Sequence, residues 1–358
     1  MAHTITRRDM LGTGLLLAGA AAFPRFAASA PVEMKAGAAK CVVTPDKPLK
    51  LTAGKLDNGT MLDTDGKEHD LIARALVLND GSKRLAVVTF DMNSLDVATP
   101  ILRARCKKEL GIDAPYLLLL NTHNHQGPMP RWKDNFPHQR WLAERIFGII
   151  KEAIAAERGP VSVSFGTGNG YYLRSSANAA TDYEVQVLKV SRGSETVAVL
   201  SNQPTHPAHT SRTKIGVGHP GYALDELERD MPGTAFLYAD ACGGNQFPYE
   251  PGSIYKDLDT VKKYASLLAG TVKHILEGPL VDVTGPIASR METLSLPLAP
   301  PPSYEEALAL ARGVPMNIGY DHAANRGTNW IRALIRHYRE GIPFPTKTTD
   351  FIVMDEGW

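Results

Sequence analysis

Cysteine is scarce in this sequence: 358 residues contain only Cys41, Cys106 and Cys242, far apart and in no CxxC pair. So sparse and odd a count excludes a disulfide framework, and it leaves no thiolate metal cage. The three are expected to be core thiols. Excess charge of one sign is also missing. Lys and Arg number 39 against 38 Asp and Glu, for a net charge of +1. Basic residues in the body of the chain occur at most as pairs such as Lys107-Lys108 and Lys262-Lys263, both in amphipathic helical patterns. Nucleic acid is therefore not an expected partner. No repeat, no low-complexity linker and no run of the ~20 apolar residues that spans a bilayer is present.

Familiar catalytic signatures are lacking too. There is no G-x-S-x-G nucleophile elbow, no S-x-x-K in a nucleophile's context and no H-E-x-x-H helix. Serine-nucleophile chemistry and the common zinc-protease helix are both unsupported.

Two arginines in Thr6-Arg7-Arg8-Asp9-Met10-Leu11 precede a short apolar run over residues 11–23, which ends near the small-x-small pattern Ala28-Ser29-Ala30. That run is too short for a membrane anchor and reads as a twin-arginine export signal over residues 1–30. The expected location of the mature protein is periplasmic or secreted. Residues 31–358 are expected to form one large catalytic domain.

Beyond the signal, short Val- and Leu-rich strand patterns fall at 71–78, 84–90, 116–121, 161–166, 183–190, 196–202 and 235–240. A hairpin turn is expected at Asn79-Asp80-Gly81-Ser82. Helical stripes separate the strands, one through Leu142, Ile146, Ile149, Ile150, Ala153 and Ile154, another through Val261, Ala265, Leu268, Val272, Ile275 and Leu276. This alternation predicts an α/β fold of mixed β-sheets flanked by helices. The Pro-rich stretch 297–302 marks a boundary or long connection, followed by helices at 304–312 and 329–339 and a strand at 349–354. A strand so close to Trp358 suggests a catalytic domain incomplete at its C-terminal end.

Three segments carry candidate chemistry. In Asn121-Thr122-His123-Asn124-His125-Gln126-Gly127-Pro128 an apolar strand ends and two histidines follow, two residues apart. Strand ends are where open α/β sheets gather ligands. Extended backbone at this spacing sends both imidazoles to one side, so that one can hold a metal while the other handles a proton or a substrate oxygen. In Gln203-Pro204-Thr205-His206-Pro207 another strand end presents His206 between prolines. His209 and His219 read as surface or hydrogen-bonding residues. In Ala241-Cys242-Gly243-Gly244-Asn245 the glycines let backbone approach a ligand, with their N–H groups available to an oxyanion, or simply form a tight turn.

These landmarks, with Lys35-Ala36-Gly37, Val88-Thr89-Phe90-Asp91, Thr205-His206-Pro207 and Pro220-Gly221-Tyr222, occur in one order across residues 35–250. Together the pattern resembles the catalytic domain of the neutral/alkaline ceramidases. The resemblance implies that His123 and His206 bind Zn2+, that His125 assists catalysis, and that Arg174 lines the pocket. Asp91 is expected to orient a metal ligand. It further implies an N-acyl lipid substrate, hydrolysis of an amide by zinc-activated water, and peripheral membrane contact; oligomeric state stays open. The pattern departs from the family at Asn124, at Gln126 and at Phe247, where the family has a serine. The family's remaining zinc ligands, a Glu in a P-G-E turn and a Tyr, would fall beyond Trp358. A non-catalytic relative that binds a ligand on the same scaffold, and a metal-dependent esterase or phosphoesterase, are the alternatives.

Overall fold

The computed structural model describes residues 33–54, 61–130, 132–176, 179–248, 254–312 and 329–347. The export signal expected over residues 1–30 and the strand expected at 349–354 lie outside them.

In chain order the elements are β1 (Lys35–Val42), β2 (Gly66–Lys67), β3 (Ile72–Asn79), β4 (Arg84–Phe90), α1 (Ala98–Leu110), β5 (Leu117–Asn121), α2 (Phe136–Ala155), β6 (Ser162–Asn169), β7 (Leu173–Ser175), β8 (Glu184–Arg192), β9 (Glu195–Gln203), β10 (Lys214–Ile215), α3 (His219–Asp230), β11 (Ala235–Asp240), β12 (Gln246–Pro248), α4 (Leu258–Glu277), β13 (Val281–Asp282), α5 (Tyr304–Ala311) and α6 (Asn329–Glu340). Each strand expected between residues 71 and 240 is present within two or three residues. Strand β1, helix α3 and the short strands were not foreseen.

The main strands form two mixed sheets, in the orders β1-β3-β4-β5 and β11-β9-β8-β6-β13. Each contains one parallel pair, β4–β5 and β9–β11, joined through a crossover helix, α1 and α3 respectively. Three apolar layers stack between four layers of structure. Ala73, Ala75 and Val77 of β3 pack with Leu142, Ile146 and Ile150 of α2. Leu76 and Leu78, on the opposite face of β3, pack with Val163, Val190 and Leu237 of the second sheet. Val185, Val187 and Phe236 pack with Leu224, Leu268 and Val272 of α3 and α4. The architecture is therefore helices, sheet, sheet, helices: an α/β fold of mixed sheets. Strands buried on both faces have no polar alternation, which is why β3 and β4 read as continuous apolar runs.

Local chemistry sets the joints. Gly37 lets β1 lie against α2, since a Cβ there would stand 2.1 Å from the Ala153 carbonyl oxygen. Asp257 caps α4 by accepting from the Thr260 amide. The expected hairpin turn forms around Asp80, whose carboxylate accepts from the amides of Ser82, Lys83 and Ile287. Burial alone would raise that carboxyl, but those amides and the Ser82 hydroxyl outweigh it and hold it at about 2. Its stabilisation is thus present above the ordinary carboxylate range and lost as pH falls toward 2. We expect Asp80→Ala to lower unfolding free energy by about 2–3 kcal/mol at pH 7, read as a lower urea midpoint, with the deficit shrinking in acid.

Only Cys106 of the three cysteines is fully buried; Cys41 is half-buried and Cys242 is exposed in the turn after β11. A turn that passes close to another loop puts its intervening side chain outward, which overturns the core expectation for Cys242. Residues 297–302 run extended to a helix pair, α5 and α6, which has its own small cluster of Ala307, Ile331, Leu334 and Ile335. No helix among the described residues is long and apolar enough to cross a membrane.

Candidate metal centre

The carboxyl ends of the two parallel strand pairs meet. From β5 comes the loop holding His123 and His125; from β9 comes His206; and from β11 comes the glycine turn at 241–245. The Nε2 atoms of His123 and His206 stand 3.2 Å apart. Ligand nitrogens of His123, His125 and His206 all lie within 4.8 Å of one another, a group able to hold a metal ion.

The two loop histidines do not converge through extended backbone, as the i, i+2 spacing suggests. His123 adopts φ 54°, in the left-handed region. Its amide donates to the Asn121 side chain at 2.9 Å, closing an Asx turn that tolerates this conformation. The neighbouring amides then serve as anchors. Buried Asn124 donates its side-chain N–H groups to the carbonyls of Asp91 and Gly216. Buried Gln126 donates to Thr210 Oγ1 and the Lys214 carbonyl, and accepts from the Thr210 amide. Residues that depart from the family pattern thus tie the two histidine loops together.

His206 donates from Nδ1 to the Gly243 carbonyl at 2.9 Å, which leaves Nε2 free to ligate. Phe247 stacks on His206, with ring centroids 5.1 Å apart and an interplanar angle of 21°. Near His123, Asn93 places its side-chain nitrogen 3.4 Å from Nδ1. His125 stacks on buried His209 at 5.3 Å, and its own Nε2 is buried without a hydrogen-bond partner.

Burial and then the mutual repulsion of the imidazoles lower His123 to about 4 and His125 to about 3. Both are neutral at pH 7, the form that ligates a divalent cation. Two nitrogens on one tetrahedral zinc stand roughly 3.3 Å apart, given Zn–N bonds of ~2.0–2.1 Å. The observed 3.2 Å spacing, the free Nε2 of His206 and the orphaned Nε2 of His125 therefore fit such an ion.

Arg174 does not join the histidines by any hydrogen bond. It sits on β7 directly opposite Phe247 of β12, so both side chains project from one face of that ribbon. Its Nε is buried without a partner. Asp91 plays a different part from the one expected. Its carboxylate accepts from the Ile72 amide and from Arg74, and only its carbonyl reaches the loop, through Asn124. The strand end that places Asp91 beside β3 turns its carboxylate to Arg74, which corrects the expectation that it orients a metal ligand. His209 and His219 are hydrogen-bonding residues but fully buried, accepting from the amides of His125 and Ala208.

Gly243 serves the turn: its amide donates to the Ala241 carbonyl, and a Cβ there would lie 2.3 Å from the Thr205 nitrogen. Gly244 has open space at the same position. We expect Gly243→Ala to cost about 1–3 kcal/mol and, by shifting the carbonyl that holds His206, to weaken metal binding about 10–100-fold. Gly244→Ala should leave both unchanged; competition with a chelating indicator measures the difference. Asn93, three residues past β4, and Asp240, the last residue of β11, escaped the sequence reading as site residues, although both stand at strand ends.

No known family model matches the sequence, and no curated protein matches it. Among solved structures, the neutral ceramidase from Pseudomonas aeruginosa is similar, at 21% identity over 68% of this chain and 45% of that chain, with a TM-score of 0.58. A ceramidase complexed with C2 is similar at 20% identity, covering 68% of this chain and 44% of the other, again with a TM-score of 0.58. The match spans less than half the length of both proteins. At this identity the likeness is one of fold, and in fold this chain is ceramidase-like.

Proposed function

We propose that the chain is an exported, zinc-dependent hydrolase of an amide bond in a ceramide-like or other N-acyl lipid, with residues 1–30 as its export signal and residues 31–358 as catalytic domain. The observation that carries this reading is the convergence of His123, His125 and His206 at the carboxyl ends of parallel strands. The ceramidase-like fold supports the choice of amide over phosphate ester.

In this reading His123 and His206 hold Zn2+, and the Gly243 carbonyl keeps His206 in the tautomer that ligates through Nε2. Zinc would supply Lewis acidity toward the amide carbonyl and a lowered pKa for water. His125, neutral at pH 7, is suited to donate an N–H hydrogen bond to a substrate oxygen, and its buried Nε2 has no competing partner. Arg174 and Phe247 give one ribbon face a cation beside an aromatic ring, suited to a polar head and an apolar chain. An N-acyl lipid would be met at a membrane surface, so peripheral contact follows from the substrate.

The test combines zinc content by mass spectrometry with amine release from a panel of N-acyl substrates. About one zinc per chain is expected, lost together with amine release in His123→Ala. A parent chain that retains no zinc, or a variant that retains both properties, would overturn the reading.

A further inference from the structure

A second cleft lies away from the histidines. It opens between β1 and β3 of the first sheet and the segment from the end of α3 into β11, with a volume of about 530 Å³. That volume is in the range of small-molecule sites. The amino end of β11 borders it, whereas the carboxyl end of β11 leads to the turn beside His206. Six residues of strand, roughly 17–20 Å at 3.3 Å per residue, separate the two places.

Small residues make the space: Ala38 and Ala235 line it where larger side chains would fill it. Arg74 stands at its inner wall. The Arg74 side chain is 5% exposed, on the same face of β3 as Leu76 and Leu78, whose side chains enter the core between the sheets. A guanidinium so placed needs its N–H groups satisfied. It is poorly served. Asp91 is 3.4 Å from Nη1, Glu228 is 3.7 Å from Nε, and the buried Nε makes no hydrogen bond. Glu228 is instead committed to Lys40 at 2.6 Å. Arg229 adds a further cation at the rim, though it also contacts Asp230 at 3.3 Å.

We propose that this cleft binds a small organic carboxylate, its head on the Nε edge of Arg74 and its short apolar body against the alanine wall and Leu237. Carboxylates match the guanidinium fork in a way that Glu228, held by Lys40, does not. Of the charged residues that line the cleft, Lys40, Arg74 and Arg229 are cations and only Glu228 is a carboxylate, a balance that favours an anion over a cation, and the apolar lining favours a hydrocarbon tail over free phosphate.

The experiment is calorimetric titration of the full chain with hexanoate, alongside hexylammonium and inorganic phosphate. Hexanoate should bind, and hexylammonium should not. Ala38→Phe, which fills the cleft without touching a charge, should abolish binding, and circular dichroism checks that it folds. Glu228→Gln, which removes the carboxylate that lines the cleft, should tighten hexanoate about tenfold. His123→Ala should bind hexanoate as the parent does, which keeps this site separate from the metal centre. The proposal is overturned if hexanoate fails to bind the parent, if Ala38→Phe binds it equally, or if hexylammonium or phosphate binds in its place.

Discussion

His206→Ala should empty the metal centre and abolish turnover, whereas His125→Gln should keep the metal and lose only rate. His206 offers Nε2 at 3.2 Å from that of His123, and its other nitrogen is spent on the Gly243 carbonyl. Losing an outer hydrogen-bond partner of a ligand typically costs 10–100-fold in metal affinity, so losing the ligand itself should exceed about 100-fold. His125 is different. Its imidazole is pushed to about 3, mainly by burial, and stacks on His209. A residue that donates a hydrogen bond to a developing oxyanion is worth about 10²–10³ in kcat, and glutamine retains an N–H donor on a shorter reach. Zinc content and kcat, measured on both variants with zinc added back, separate the roles. If His125→Gln loses metal as completely as His206→Ala, all three histidines are ligands.

The second large effect is expected at Asp240→Asn and concerns pH. Asp240 ends β11; burial drives its carboxyl up to about 7, with the amides of Thr205 and Ala241 pulling the other way. One carboxylate oxygen is buried without a partner. A folded-state pKa above the unfolded value of 3.8 means that the folded chain binds the proton more tightly. The stabilisation is therefore full below 3.8 and is lost as pH rises to about 7. At ~1.4 kcal/mol per unit, the loss reaches about 4 kcal/mol. Asparagine keeps an acceptor for the two amides and has no proton to lose. The stability of the variant relative to the parent should therefore climb by up to about 4 kcal/mol between pH 3.5 and pH 8. Urea unfolding of the metal-free proteins across that range measures it. A flat difference would mean that Asp240 stays ionised in the folded chain through a compensating contact. A buried carboxyl held near neutrality beside a candidate centre is also a common mark of functional sites.

Much of the fold was legible because it depends on apolar pattern. Strand β4 was read to the residue at Arg84–Phe90, and β11 at Ala235–Asp240, since each is a short apolar run with an aspartate, Asp91 or Asp240, at its end. The stripes of α2 and α4 were legible for the same reason: one buried face at helical period. Helix α3 escaped because His219, Pro220 and Gly221 open it, and that sequence looks like a turn. Proline in the first helical turn is nevertheless well tolerated, its missing N–H being one that the helix leaves unpaired there.

At the centre, residue identity and strand-end position sufficed to single out His123, His125 and His206. Their convergence could not be read, because His123 and His206 are 83 positions apart and meet only when two parallel strand pairs face each other. Nor could Asp91 be assigned: whether a strand-end carboxylate turns to a histidine or to an arginine depends on which strand lies beside it. The sequence by itself determined which segments become strands and helices, and which residue types stand at strand ends, because periodicity and local backbone preference act within a few residues. Only the tertiary structure decided the three-nitrogen cluster, the neutral state of His123 and His125, the raised Asp240 and the cleft at Arg74. Distance, desolvation and packing arise between segments remote in the chain, so no local pattern encodes them.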